Sequence, residues 1–561
     1  MKLELIDPSG GAPAADERRD PAWRVLGHLI QLNGIFGIMR SKLVHGAPGG
    51  HWSVGHLITI VHEQSRLVGV VCELTAAIND WTEEGANIAL VKIELAGEII
   101  DEAPGKPRFY RGISSYPALG AMAHRIRSGD LRAIYSFNEE VGTEIGTLSQ
   151  NETIPAAISI KQLISRHFAV IGSTGVGKTS AVSMLVRKSL ESRPNLRVVL
   201  IDPHNEYKHY FFGEAQLLDS ENLELPYWMF RFEEMLDIIY SGRMPSADET
   251  DGLYEAIRMA KGKYAASAAP AGGASLVRRP TTADASGFSA DTPVPYRMAD
   301  LMATLDEWMG KLEQRFARTD LRALRSRLDS LCKDPRYRFM FGKFGSEDNM
   351  AAIIGKIFRI PVEGARVTIV QLAGLPNEVV NSVVSVLARL AFDVGVWSGS
   401  NFEVALVCEE AHRYIPNNAT LGFGPTRQAI GRIAKEGRKY GVSLGVVTQR
   451  PSELDSTVLS QCSTMFAMRL PNEADKAIIR SALSESSAST ISFLSSLANR
   501  EAIAFGEAVP SPMRMKFGNS QWKPDPNAAQ VAPAPTDREV DRFDLRRIIA
   551  RLRGEVLSEA G

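Results

Sequence analysis

Apolar residues follow two rhythms along this chain. Between residues 24 and 145 they come in short β-branched runs broken by glycine and polar turns, as in Leu57-Ile58-Thr59-Ile60-Val61, Leu67-Val68-Gly69-Val70-Val71 and Ile88-Ala89-Leu90-Val91-Lys92-Ile93. Short strands at close spacing predict a small β-barrel or sandwich, with a mixed α+β module as the other option. From residue 165 onward the texture changes. Fully apolar strands alternate with amphipathic helical stretches, the pattern of a parallel α/β sheet. Strands are expected at 167–172, 197–202, 367–372, 404–408 and 443–448, with a helix near 179–190.

Residues 265–295 interrupt that alternation. They include Ala-Ala-Ser-Ala-Ala-Pro-Ala-Gly-Gly-Ala, a low-complexity stretch expected to be mobile. Helical patterns at 229–263 and 296–333 flank it, so a helical insertion is expected over about 229–350. Further on, the Pro/Ala-rich segment 523–536 leads to a last helix. Leu545, Ile548, Ile549, Leu552 and Val556 share one of its faces, and Arg542, Arg546, Arg547, Arg551 and Arg553 fall largely elsewhere. That helix is read as a packing helix with a solvated face, or else as a partner- or DNA-binding helix. The expected domains are a flexible tail at 1–23, a β domain at 24–150, an α/β core at 151–518, and a linker with a helix at 519–561.

Composition narrows the class. The chain has 561 residues, 44% hydrophobic and 23% charged, which is ordinary globular usage and excludes a disordered or collagen-like protein for most of its length. Lys+Arg is 64 and Asp+Glu 65, so the net charge of −1 excludes a strongly basic wrapper of nucleic acid. Any positive charge for DNA must be local. Cys72, Cys332, Cys408 and Cys462 are far apart, which fits neither a zinc cluster nor a disulfide framework. With no apolar core in residues 1–19, the expected location is a reducing cytoplasm. The apolar stretch 379–397 is interrupted by Asn381, Ser382, Ser385, Arg389 and Asp393, so it is expected to be a core helix and not a membrane span.

The sharpest signal is Gly172-Ser173-Thr174-Gly175-Val176-Gly177-Lys178-Thr179, followed by Ser180. It fits GxxxxGK[ST] between an apolar strand and a helical run. Glycines let backbone N–H groups converge on phosphate oxygens, and the helix N-terminus faces the anion. Lys178 can neutralise phosphate charge and Thr179 can ligate Mg²⁺. ATP and Mg²⁺ are therefore the expected ligands.

Hydrolysis needs more than this loop. The apolar run 404–408 ends in Glu409-Glu410, where Glu409 can face the Mg²⁺ shell and Glu410 can polarise the attacking water. Asp202 ends another apolar strand and is a candidate Mg²⁺ or water contact, ahead of Glu206. Gln449, at the end of the run 443–448, can sense the terminal phosphate. The helix before it carries Arg427, Arg432, Lys435, Arg438 and Lys439, any of which could reach a neighbouring subunit as an arginine finger.

In this order the motifs resemble the HerA family of hexameric DNA translocases, relatives of FtsK and of conjugative coupling proteins. The carrying stretches are 166–175, Asp202-Pro203-His204-Asn205-Glu206-Tyr207, Glu409-Glu410-Ala411-His412, and Gly437-Arg438-Lys439-Tyr440-Gly441 running on to Thr448-Gln449-Arg450-Pro451. Arg111-Gly112-Ile113-Ser114-Ser115-Tyr116-Pro117 and Gly146-Thr147-Leu148-Ser149-Gln150 resemble the family's N-terminal barrel domain.

The resemblance implies a barrel, a RecA-like P-loop NTPase motor with a helical insertion, and a C-terminal brace beginning near Phe505-Gly506-Glu507-Ala508. By position it makes Glu410 the water-activating acid, Gln449 the sensor and Arg438 the finger in trans. It also implies a homohexamer drawing double-stranded DNA through a central pore. Lys333, Arg336, Arg338 and Arg427 are candidate pore contacts. A nuclease or NAD-consuming effector would dock on the barrel, in DNA end processing or anti-phage defence, with no membrane involved. The alternative is an ATP-binding ring scaffold that activates an effector with little translocation. Glu409 stands where such motors usually have Asp, and Asn205 where the family more often has Gly.

Overall fold

The computed structural model describes residues 25–43, 54–63, 65–77, 87–103, 106–137, 142–211, 213–240, 242–268, 287–311, 315–342, 347–361, 364–398, 402–418, 423–482, 494–518 and 545–554. The expected tail at 1–23, the linker at 519–544 with Arg542, and Val556 lie outside them.

The first unit holds β1 (Val25–Leu32), β2 (Phe36–Leu43), β3 (Leu57–His62), β4 (Ser65–Ala76), β5 (Asn87–Ala103), β6 (Lys106–Tyr110) and β7 (Met122–Arg125). They form a seven-stranded sheet of order β2-β1-β7-β3-β4-β5-β6. A further pairing of β2 with β5 rolls it into a barrel, with β6 hanging on the far half of β5. Closure leaves the barrel strands no free edge. Alternation sends Leu29, Met39, Ile58, Ile60, Leu67, Val71, Val91 and Ile93 inward. The barrel is anchored through Arg111, whose guanidinium donates to the carbonyls of Pro510 and Val509, each at 2.9 Å.

After α1 (Ser128–Tyr135) come β8 (Thr143–Leu148), β9 (Asn151–Ile158), α2 (Ile160–Ser165), β10 (His167–Ile171), α3 (Lys178–Ser192), β11 (Leu196–Asp202) and β12 (Ala215–Leu218). A helical run follows: α4 (Phe232–Tyr240), α5 (Ala247–Ala268), α6 (Met298–Gly310), α7 (Arg318–Lys333), α8 (Arg338–Phe341) and α9 (Met350–Phe358). The chain then returns to the sheet through β13 (Val367–Gln371), α10 (Asn377–Ser398), β14 (Glu403–Cys408), α11 (Gly424–Glu436), β15 (Val442–Thr448), α12 (Ser456–Ser460) and β16 (Cys462–Ala467). It closes with α13 (Glu473–Ala482), β17 (Glu501–Gly506), β18 (Met513–Phe517) and α14 (Leu545–Arg553).

These strands make an eleven-stranded sheet, β12-β13-β11-β14-β15-β10-β16-β17-β18-β8-β9. The strands from β12 to β16 are parallel and the rest antiparallel. Every residue of β10, β11 and β15 is buried, as helices on both faces require.

The structure corrects several expectations. β8 pairs with β18, so Gly146-Thr147-Leu148 belongs to the second sheet and the barrel ends before residue 143, not at 150. Alternation marks a strand but does not say which sheet it joins. Phe505 and Gly506 lie in β17, inside the motor sheet, and do not begin a brace. The helical pattern 229–263 is interrupted between α4 and α5, where Gly242 and Pro245 stand.

Both ends of the stretch expected to be mobile are ordered. Residues 265–268 continue α5, and 287–295 are held against it. The buried Lys261 Nζ donates to the carbonyls of Ala290 and Thr292, each at 2.6 Å. The stretch 269–286 lies outside the described residues.

α10 is long and apolar enough to cross a membrane, yet 83% of its apolar window is buried inside the fold. α14 packs on this chain, with Ile548, Ile549 and Ala550 buried. Arg553 forks onto Asp348 at 2.7 and 2.8 Å, and the Arg551 guanidinium lies 5.7 Å over the Trp397 ring. The packing-helix reading describes this placement.

Candidate nucleotide site

β10 delivers the glycine-rich loop and α3 leaves it. Neighbouring strands fix the loop from both sides. Gly172 N–H donates to Thr448 O at 3.2 Å, and Ser173 N–H to Arg469 O at 3.0 Å. Arg500 N–H donates to Val176 O at 2.8 Å. Gly175 (φ 77°) and Gly177 (φ 101°) take left-handed backbone that side chains disfavour, and Gly177 caps α3. Lys178 is buried and folds back over the loop, its Nζ donating to Ser173 O at 3.1 Å. Thr179 Oγ1 donates to Glu206 Oε2 at 2.7 Å, and Ser180 is buried behind it.

The strand carrying the acids, β14, is not next to β10; β15 lies between them. Two strand spacings put roughly 10 Å between β10 and β14. Gln449, just past β15, spans that gap. Its Nε2 donates to Glu410 Oε1 at 2.9 Å, and its Oε1 accepts from Thr174 Oγ1. Glu410 stands at φ 52°, a left-handed turn that ends β14. Its Oε2 is buried with no hydrogen-bond partner, and His412 Nδ1 lies 3.3 Å away. His412 Nδ1 also meets Thr448 Oγ1 at 3.0 Å. Burial lowers the His412 pKa, which keeps the ring neutral at neutral pH.

Glu409 is only 3% exposed and accepts from the buried Tyr207 hydroxyl. Burial pushes its carboxyl up to about 7. Asp202 is 0% exposed, and its two oxygens accept from the N–H groups of His204 (3.3 Å), Glu206 (3.1 Å) and Tyr207 (3.0 Å). Its carboxylate is thus turned into its own loop, away from the role of metal contact expected for it. Glu206, ranked below it from sequence, is the acid that touches Thr179.

The basic residues separate too. Arg427 forks onto Asp455 at 2.7 and 3.1 Å, and the Arg432 guanidinium sits 4.1 Å over the Phe392 ring. Lys333 pairs with Asp329 at 2.6 Å, and Arg336 forks onto Asp334. Arg338 and Arg438 are exposed. Arg438 lies in the turn Gly437–Tyr440 before β15, at the opposite end of that strand from Gln449. A strand of that length spans roughly 20 Å, so within one chain Arg438 is not at the phosphate loop.

Tyr207, His412, Arg469 and Arg500 were not foreseen as parts of the site. Tyr207 and His412 follow strand-ending acids, a signal that could have found them. Arg469 and Arg500 meet the loop through backbone groups, which no side-chain pattern reveals.

The donor set fits a metal that arrives with nucleotide. Among the described residues no three His, Cys, Asp or Glu side chains form a cluster that could hold a metal ion. A Mg²⁺ bound by a hydroxyl, one or two carboxylates, phosphates and water needs no such cage.

A parallel sheet of this order, with the loop after β10 and the acids one strand beyond its neighbour, defines a P-loop NTPase with a RecA-like core. Residues 143–391 match the family described as Helicase HerA, central domain. A DNA double-strand break repair helicase HerA from Pyrococcus furiosus is 25% identical over 70% of this chain and 72% of its own length. A probable helicase of Methanocaldococcus jannaschii is 24% identical over 82% of this chain and 86% of its own. Among solved structures, VirB4 of Thermoanaerobacter pseudethanolicus aligns with 15% identity and a TM-score of 0.48, over 68% of this chain and 98% of that one.

Proposed function

We propose that this protein is an ATP-driven translocase or helicase acting on double-stranded DNA. The observation that carries the hydrolytic part is the bridge Glu410–Gln449–Thr174, which ties a candidate base to the phosphate loop across an intervening strand. The loop N–H groups and Lys178 bind the phosphates. Glu410 Oε2, buried and unbonded, accepts a proton of the attacking water, and Gln449 holds that carboxylate in place through Oε1. Mg²⁺, carried in with the nucleotide and held by Thr179, supplies charge neutralisation on the phosphate oxygens.

The DNA-directed part rests on the relatives. In this reading the protein is a homohexamer with DNA in its central pore. Arg438, exposed and remote from its own loop, serves the neighbouring subunit's site. A nuclease or NAD-consuming effector docks on the barrel.

The test is the ATPase rate with and without duplex DNA, on a sized oligomer peak, for wild type and Glu410→Gln. DNA-stimulated turnover that the variant loses is the expected result. Turnover indifferent to DNA in an intact ring would overturn the translocase reading in favour of a scaffold.

A further inference from the structure

Three acids approach the phosphate loop, and their partners sort them. Glu410 is held by Gln449. Glu409 is engaged by the phenol of Tyr207, itself 0% exposed. Glu206 meets the hydroxyl of Thr179 at 2.7 Å. Resting on the ATPase reading above, we propose that Glu206 is the positioning carboxylate on the metal side of the nucleotide site, with Glu409 held back by Tyr207.

The argument is one of lone pairs and protons. A threonine hydroxyl ligates a metal through oxygen, and its own proton then needs an acceptor elsewhere. Glu206 Oε2 is that acceptor in this fold. Accepting the proton aims the remaining lone pairs of Thr179 Oγ1 away from Glu206, and the carboxylate adds negative charge beside the cation. Outer carboxylates of this kind orient a ligand and raise its affinity for metal.

The loop is built to present Glu206. Asp202 gathers the N–H groups of His204, Glu206 and Tyr207 beneath it. Asn205 takes φ 58°, a left-handed conformation that asparagine tolerates, and its Oδ1 accepts from Ala373 N–H at 3.4 Å. Asparagine therefore meets the backbone demand for which glycine is the usual answer. The same loop brings Tyr207 onto Glu409. In this way a longer acid at position 409 and a carboxylate from the next strand form one arrangement.

The test is binding of a fluorescent ADP analogue to the full-length protein, in EDTA and then across a Mg²⁺ titration. The proteins are wild type, Glu206→Ala, Glu206→Gln and Glu409→Gln. In EDTA the affinities should agree within about twofold. Glu206→Ala should raise the Mg²⁺ concentration for half-maximal tightening by about tenfold or more. Glu206→Gln, which keeps an acceptor oxygen but loses the charge, should fall between Ala and wild type, and it serves alone if the alanine variant does not fold. A Glu206 series that titrates like wild type overturns the proposal, as does a Glu409→Gln shift larger than that of Glu206→Ala. Wild type that binds no nucleotide under either condition would sink the ATPase reading itself, and this inference with it.

Discussion

Two sets of acids in this molecule, buried except for the exposed Glu206, have opposite surroundings. Between α4, α10 and α11, Glu234 meets Arg389 at 3.0 Å, and Asp393 lies 3.8 Å from Arg231 and 4.0 Å from both Arg389 and Arg432. Ser385 Oγ and the Arg231 N–H complete the shell of Glu234. At the nucleotide site a phenol donates to Glu409, an amide to Glu410 and a hydroxyl to Glu206. In the first set Glu234 is satisfied by hydrogen bonds and Asp393 faces three guanidinium groups at 3.8–4.0 Å, which suits a joint between helices. The second is held by neutral donors, and one of its oxygens has no hydrogen bond. The buried Glu409 carboxyl, pushed up by burial, is unfavourable for the fold alone, and such perturbed groups gather where chemistry is done.

The widest separation between the two sets should come from Glu410→Gln. Turnover should fall by about 10²- to 10⁴-fold. Because the amide is isosteric and keeps an acceptor for Gln449, the melting temperature should barely move. Steady-state ATPase assays and thermal melts read the two effects, and a loss of turnover below tenfold would remove Glu410 from the role of base.

The reverse holds for Arg389→Ala. It leaves Glu234 and Asp393 buried beside too little positive charge, which should cost about 3–5 kcal/mol. Urea unfolding followed by circular dichroism would show it. Nucleotide affinity measured below the transition should stay near wild type, and a loss under 1 kcal/mol would mean that the joint is not what holds these helices.

Glu409→Gln tests the site by pH. The Glu409 carboxyl is raised to about 7 from an ordinary 4.5 by burial. Below pH 4.5 it is protonated in both folded and unfolded chains. As pH rises toward 7 the unfolded chain ionises first, so the wild type loses stability over that window. The variant, free of that ionisation, should be more stable than wild type at pH 8 in the absence of nucleotide and Mg²⁺, by on the order of 2–3 kcal/mol. The advantage should vanish near pH 4.5. An unchanged difference across that range would show that Glu409 ionises normally.

The smallest effect is expected from an exposed version of the same pairing. Arg553→Ala removes the fork to Asp348, whose side chain is 47% exposed, and should cost about 1 kcal/mol or less. A much larger loss, read by the same unfolding experiment, would mean that α14 contributes through this pair more than through Ile548 and Ile549.

The sequence by itself determined the glycine-rich loop, the strand ahead of it, the two acids after 404–408 and Gln449. Each is a local signal. A run of residues buried on both faces must be apolar, and a chain wrapping a phosphate must place glycine where φ turns positive. The core strands accordingly fall within a residue of where the pattern puts them, and α10 is the core helix that its polar interruptions imply.

Only the tertiary structure decided which partners those residues meet. β15 lies between β10 and β14, and that spacing makes a glutamine the bridge between acid and loop. Asp202 ranks ahead of Glu206 along the chain, yet it spends both oxygens on its own loop and Glu206 is the one that reaches Thr179. Arg427 and Arg432 are engaged at home, Arg438 is exposed, and β8 joins a strand hundreds of residues away. Periodicity reports which face of an element is buried. It does not report what covers that face, because the partner is chosen by long-range packing and by the need of each buried polar group to find a donor or acceptor.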